Sequence, residues 1–257
     1  IRKISRYQQR DGGFSYWPGQ TYNSEWSTTY AGHFLLVAEE KGYLVPYEMK
    51  KKWISYQNDR ANQFQPSSNT RFEGSSLLQA YRLYSLAYAG QPNMSAMNRL
   101  REYESISITA RWRLAAAYLL VGMPDAANDL VKNTGFENIQ TYKTPGNTFG
   151  SQLRDQAMVL EVLVMMDRRE EAFELLSSMA LQAKNTYLST QTAAFMLVAY
   201  GKFLGDQDRE KQISFNYELY GASEAVTSQV PVYQINLKEA QGDGRFAIEN
   251  TGESELY

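Results

Sequence analysis

The chain has 257 residues, with 26 Lys plus Arg against 28 Asp plus Glu, a formal net charge of −2, 43% hydrophobic residues, 13% aromatic residues and no cysteine. That length holds one large domain or two smaller ones with a sizeable core. The balanced, interspersed charge argues against a nucleic-acid binder, which shows a concentrated basic face. No apolar run is long enough to span a bilayer, and the absence of cysteine removes disulfides, thiolate metal ligands and a cysteine nucleophile.

Residues 1–10 place Ile1, Ile4 and Tyr7 at helical spacing and end at Asp11-Gly12-Gly13, a turn in which glycine supplies positive φ. An aromatic loop, FSYWPG at 14–19, follows. The stretch 26–42, WSTTYAGHFLLVAEEKG, reads as a helix starting near Ser24 or Ser27 and stopped by Gly42. Pro46 opens a second helix, on which Met49, Trp53 and Tyr56 form one apolar stripe among Lys50, Lys51 and Lys52. Residues 58–72 are polar and loop-like.

The pair then recurs. Nearly apolar helices are read at 73–90, 107–122, 150–167 and 187–205, and one-sided helices near 94–104, 125–133 and 170–184. On the last of these, Ala172, Leu176, Met179 and Ala183 share a face. The stretch 187–205, YLSTQTAAFMLVAYGKFLG, is the most apolar, and a helix apolar all round is expected to be buried all round. The starts of the apolar helices repeat at about 35–48 residues, the period of stacked helical hairpins. Inner helices with almost no polar face favour a closed α/α toroid, inner helices alternating with outer ones, over an open solenoid.

After Gly205 the period changes from helical to two. Phe215, Tyr217 and Leu219, then Tyr233, Ile235 and Leu237, then Phe246 and Ile248 alternate with polar residues, with a turn at Gly242-Asp243-Gly244. The reading is a toroid over 1–212 and a short antiparallel β segment over 213–257, the start of an adjoining β domain, since a few short strands do not form a core alone. The opening IRKISRYQQ reads as the tail of a helix under way and the closing ESELY as the start of a strand. The chain is therefore read as a segment of a longer protein, and the lack of a secretory signal says nothing about export.

Few residues carry chemistry. His33, the only histidine, sits mid-helix and is read as a packing or surface histidine, because a metal site there would have to be mostly carboxylate. Asp11, Glu25, Glu73 and Asp155 lie in or beside the loops that precede inner helices, which a toroid gathers at one cavity mouth. Two such carboxyl groups facing each other would suit glycoside hydrolysis, but acids at helix N-termini also satisfy the macrodipole and cap amides, and that structural reading is preferred. Phe14, Tyr16, Trp17, Tyr22 and Trp26 offer a sugar platform, a protein contact or a cover for the core. Thr28 and Thr190 are read as caps and Met165-Met166 as core packing. No phosphate loop, zinc spacing or redox pair is present, so no catalytic, cofactor-binding or metal residue is assigned.

Four short motifs, in order, carry a family resemblance. YLSTQTAAF at 187–195 resembles the Gly-Ser-Thr-Gln-Ala/Thr stretch that opens a late inner helix of the thioester-containing domain of the alpha-2-macroglobulin and complement family. STTYA at 27–31 after Trp26 resembles that domain's Trp-Leu-Thr-Ala-Tyr stretch, and Asp11-Gly12-Gly13-Phe14 its Asp-Gly-x-Phe/Tyr turn. The stretch from Tyr142-Lys143-Thr144 through Leu153-Arg154-Asp155-Gln156 looks most like the bacterial branch, with its Ser-x-x-Arg-Asp-x-Ala pattern. The likeness covers roughly residues 1–205. It implies a toroid within a large secreted, periplasmic or cell-surface bacterial protein that traps proteases as an endopeptidase inhibitor, with proteases and neighbouring β domains as partners, no nucleic acid and no cofactor. The family's Cys-x-Glu-Gln thioester lies upstream of this region, and this chain has no cysteine. The histidine that some relatives carry before the second inner helix is missing from QPSSNT at 65–70. Terpene cyclases share the toroid and the DGG turn but need metal motifs that are absent here.

The expectation is thus a non-catalytic toroid domain of a bacterial alpha-2-macroglobulin-like protein. The alternative is a carbohydrate-active α/α-toroid enzyme using Asp11, Glu25, Glu73 and Asp155.

Overall fold

The computed structural model describes residues 1–65, 74–136, 139, 150–205, 213–219, 221–228, 233 and 246–252. Its contacts divide the chain into two units, Ile1–Ala199 and Tyr200–Tyr257. The described residues hold α1 (Glu25–Glu40), α2 (Tyr47–Gln63), α3 (Gly74–Tyr88), α4 (Met94–Arg101), α5 (Ile108–Leu120), α6 (Pro124–Val131), α7 (Gln152–Met165), α8 (Arg169–Ala183) and α9 (Thr190–Leu204), followed by β1 (Ile213–Leu219), β2 (Ala222–Ser228) and β3 (Phe246–Asn250). The fold is mainly α, an α/α toroid of alternating inner and outer helices, with a short antiparallel sheet after it.

In the first unit, α1, α3, α5 and α7 pack side by side, and α2, α4, α6 and α8 lie against them. The N-terminal part of α9 closes the circuit. Ser151 and Thr192 hydroxyls lie 2.7 Å apart, tying α9 to α7. Phe195 stacks on Tyr30 of α1 with centroids 5.6 Å apart and meets Tyr81 of α3 edge-on at 6.0 Å.

Capping follows the sequence closely at four starts. Ser24, Ser107, Ser151 and Ser189 each accept a hydrogen bond from the backbone amide three residues on, which satisfies an otherwise orphaned helix donor. The cap of α9 is therefore Ser189 rather than Thr190. Thr28 is not a cap either. It lies in the first turns of α1 and clamps the preceding loop, accepting from the Phe14 amide at 2.8 Å and donating to the Phe14 carbonyl at 3.2 Å. Gly42, Gly90 and Gly122 end α1, α3 and α5 with positive φ. At the end of α7 no glycine stands, and Asp167 itself takes φ 57°, which Asp tolerates better than most residues.

Four helical expectations change. Helix α2 runs on to Gln63, into the stretch 58–72 read as loop-like. Residues 1–10 form only a 3-10 turn, Ile4–Tyr7, because Gln8 then pairs as an antiparallel bridge with Phe14. On α8 the buried residues are Ala172, Leu175 and Met179, so the apolar face is rotated from Leu176 to Leu175. On α9 the apolar circumference is not buried all round. Leu197 is 71% and Val198 42% exposed, because α9 buries Thr192, Phe195, Met196 and Ala199 on one side only.

In the second unit the strand order is β2-β1-β3, all antiparallel. Phe215 pairs with Val226, both buried, and Tyr217 pairs with Glu224 and Ile248. Strand β2 escaped the sequence reading, since ASEAVTS shows no apolar alternation. Ile235, Leu237 and the turn at Gly242-Asp243-Gly244 lie outside the described residues.

Within the first unit, Gly32 permits the close crossing of α1 and α2. A Cβ built there would overlap the Trp53 indole, which donates to the Thr28 carbonyl at 2.9 Å and is 1% exposed. Gly32→Ala is expected to lower stability by about 1–3 kcal/mol, read as a lower urea midpoint with an unchanged m-value.

Candidate functional site

The middle of the ring is not purely apolar, as the sequence pattern suggested. It holds two arginines and two acids that are almost wholly buried: Arg113, Arg154, Asp155 and Glu161. Arg113 of α5 pairs with Glu161 of α7, which also accepts from the Tyr84 hydroxyl of α3 at 3.0 Å. The Arg113 guanidinium lies 3.7 Å from the Tyr84 ring centroid and 5.1 Å from that of Tyr81. Arg154 of α7 binds its neighbour Asp155 through Nε at 2.9 Å and Nη2 at 2.7 Å. It also donates to Gln191 of α9 at 3.2 Å and covers the Trp26 ring of α1 at 4.4 Å. Two guanidiniums thus join all five inner helices. Arginine suits this role because its planar fork satisfies a carboxylate while its flat face stacks on an aromatic ring.

His33 lies beside this centre. Its Nδ1 is 2.9 Å from the Tyr81 hydroxyl, and its ring meets Tyr81, Tyr84 and Tyr88 edge-on. It is a packing histidine, 7% exposed. Burial, then Glu161, pushes the Tyr84 phenol well above its ordinary value, and burial alone dominates the rise at Tyr81.

A second polar network sits at the start of α1. Glu25 Oε2 binds Arg82 of α3 at 2.5 Å, while its Oε1 accepts from the Tyr56 hydroxyl at 2.7 Å and lies 3.3 Å from Arg60. Gln57 accepts from Arg82 Nε at 3.0 Å and Gln79 from its Nη1 at 2.5 Å. Burial pushes the Arg82 guanidinium down and Glu25 pulls it back. Asp11 accepts from the Asn23 amide at 2.8 Å and from the Gly13 backbone at 3.1 Å, locking the DGG turn.

The four acids considered from the sequence therefore have different settings. Asp11 closes a turn, Glu25 ties three helices, Asp155 is held by Arg154 with Thr109 3.4 Å away, and Glu73 lies outside the described residues. Among the described residues no three His, Cys, Asp or Glu side chains group to hold a metal ion. Of the loop aromatics, Phe14 and Trp26 are buried, while Tyr16, Trp17 and Tyr22 stand exposed. The loop is held by Ser15 donating to the Trp17 carbonyl at 2.8 Å and Gln20 donating to the Tyr22 hydroxyl at 2.8 Å. Met165 and Met166 are half-buried.

Sequence reasoning missed Arg82, Arg113 and Glu161. A signal existed: RWRLAAAYLL and MVLEVLVMM each place a charge inside an apolar helix, and a buried charge requires a partner.

Burial, then the Glu25 hydrogen bond, pushes the Tyr56 phenol up to about 12. A phenol raised above its unfolded value of 10.0 stabilises the fold fully below pH 10, and that contribution is lost as pH climbs towards 12. Urea midpoints are expected to fall across that window, and Tyr56→Phe to flatten the fall. Separately, Glu161→Leu leaves Arg113 charged and alone, with an expected loss of about 3–5 kcal/mol. Glu161→Leu combined with Arg113→Met should recover most of it in the same unfolding assay.

No family model matches the chain. It is 26% identical over 214 residues, 77% of its length, to alpha-2-macroglobulin of Escherichia coli strain K12. It spans only 13% of that protein. The crystal structure of native alpha-2-macroglobulin from Escherichia coli, spanning domain MG7 to the C-terminus, matches 97% of the chain with a TM-score of 0.70 at 19% identity, over 38% of that chain. The Escherichia coli protein activated by porcine elastase matches 97% with a TM-score of 0.69 at 19% identity, over 21% of that chain. The ordered motifs, the alternating ring and these similarities together make this chain an alpha-2-macroglobulin-like segment.

Proposed function

We propose that this chain is a non-catalytic toroid domain of a bacterial alpha-2-macroglobulin-like protein. It contributes to protease trapping through contacts with neighbouring β domains. The observation that carries this reading is the join of the whole described fold to the alpha-2-macroglobulin C-terminal region, one relative of which was activated by an elastase. Residues 1–212 are the ring domain in this reading, and 213–257 begin the adjoining β domain. The parent works in the periplasm or at the cell surface, where it meets proteases. No helix among the described residues is long and apolar enough to cross a membrane.

The local chemistry supports a mechanical role. The two buried pairs, Arg113–Glu161 and Arg154–Asp155, and the Glu25 network spend their charges on each other and on helix packing. A glycosidase needs two carboxyl groups about 5–9.5 Å apart across a bond. Glu25 and Asp155, each bound to an arginine, serve as tethers instead. The exposed Tyr16, Trp17 and Tyr22, held by the loop's own hydrogen bonds, suit contact with another domain, since aromatic side chains are enriched in such contacts.

Two measurements test the proposal. The parent protein mixed with elastase is expected to block cleavage of casein while leaving cleavage of a small chromogenic peptide intact, the behaviour of a trapped protease. The chain itself is expected to turn over no oligosaccharide. Hydrolysis of an oligosaccharide by the chain, lost in Glu25→Gln or Asp155→Asn, would overturn the reading, as would full casein cleavage in the presence of the parent.

A further inference from the structure

Trp26, Tyr81, Tyr84 and Tyr88 stand in single file from the middle of the ring to the surface of the first unit. The tyrosines lie at i, i+3 and i+7 on α3 and so share one face. Successive ring centroids are 5.3, 6.5 and 6.0 Å apart, counted outwards from Trp26. Tyr81 and Tyr84 are fully buried. Tyr88 is half-buried and lines a surface groove of about 380 Å³ with Glu39, Glu40 and Lys50.

Each phenol in the file meets a different proton acceptor. The Tyr81 hydroxyl is 2.9 Å from His33 Nδ1, Tyr84 donates to Glu161 at 3.0 Å, and Tyr88 donates to Glu40 at the surface. Packing alone does not require this, because Leu or Phe fills the same stripe without a hydroxyl to satisfy. An oxidised phenol is a strong acid, so a tyrosine gives up an electron easily only where its proton has somewhere to go. Three adjacent tyrosines, each on its own base, meet that condition from core to surface.

We propose that this file carries one-electron oxidation out of the core to the groove at Tyr88. The oxidant is an oxygen- or nitrogen-centred radical in solution, which takes one electron from Trp26 and is itself reduced. Tyr81 returns an electron to Trp26 as its proton passes to His33, in the tautomer that leaves Nδ1 unprotonated. Tyr84 then gives an electron to the Tyr81 radical, which recovers its proton from His33, while the Tyr84 proton passes to Glu161. Tyr88 repeats the exchange with Tyr84 and hands its own proton to Glu40, which releases it to water. The net result is one electron gained by the oxidant, one proton released, and a neutral radical on Tyr88. A thiol entering the groove donates a hydrogen atom to that radical, and the thiyl radical leaves. Burial holds all three phenols above their ordinary values, with Glu40 adding to the rise at Tyr88, so they stay protonated and electron and proton must move together.

The test is pulse radiolysis of the whole chain with azide radical, with mapping of oxidised tryptophan by mass spectrometry. Wild type is expected to convert tryptophanyl to tyrosyl absorption in a first-order phase independent of protein concentration. Tyr88→Phe should at least halve that phase and roughly double oxidation retained at Trp26. Glu40→Gln, which keeps the ring and removes the base, should slow the phase. Tyr47→Phe, an exposed tyrosine outside the file, should change neither. Circular dichroism checks that each variant is folded, and if Tyr88→Phe is not, Glu40→Gln decides. Equal phases and equal Trp26 oxidation in wild type and the deciding variant would overturn the proposal. A protease-trapping assay on the same variants is independent of it, so the two proposals fail separately.

Discussion

Two buried guanidinium groups hold the inner ring together. Arg113 links α5 to Glu161 on α7 and stacks on tyrosines of α3, and Arg154 links α7 to Gln191 on α9 and to Trp26 on α1. Apolar contacts are non-directional, so they define the rotation of a helix less sharply than a hydrogen-bonded ion pair does. A small displacement leaves a buried charge unpaired in a medium of low dielectric constant. These pairs therefore help to fix the relative depth and rotation of the five inner helices. Buried pairs of this kind often add no net stability over apolar residues of the same volume, so their contribution here is to orientation.

The same logic organises the N-terminal end of α1. Glu25 gathers Arg82, Arg60 and Tyr56, and Asp11 with Asn23 locks the turn that leads into the helix. Groups that in a hydrolase would face a substrate here face each other. The chain spans only 13% of the Escherichia coli alpha-2-macroglobulin that it resembles. The aromatic loop at Tyr16, Trp17 and Tyr22 and the face of α9 at Leu197 and Val198 are among the exposed apolar parts of the first unit.

Much of the fold was legible because its signals are local. Serine caps, glycine stops and the alternation of nearly apolar with one-sided helices are written within a few residues of where they act, and Met49, Trp53 and Tyr56 are buried as their stripe demanded. The errors share one cause. Thr28 looks like a cap by position but bonds to Phe14, fourteen residues away along the chain. Leu197 and Val198 look buried by composition, yet burial depends on whether a neighbour lies on that side of α9. Strand β2 carries no alternation because only Val226 of its length is buried. As for the candidate site, the sequence offered the acids but not their partners. Arg82 and Glu25 are 57 residues apart, and Arg113 and Glu161 are 48 apart.

By itself the sequence determined the helical repeat, the switch to strands after Gly205, the lack of thiol chemistry and the motifs that carry the family resemblance, since all of these depend on residue type and short spacing. Only the tertiary structure decided that the centre of the ring is ionic and aromatic, that Glu25 and Asp155 are bound to arginines, and that three tyrosines line up on three bases. Most of those are relations between residues distant along the chain, and a charge or a phenol takes its role from what folding places beside it.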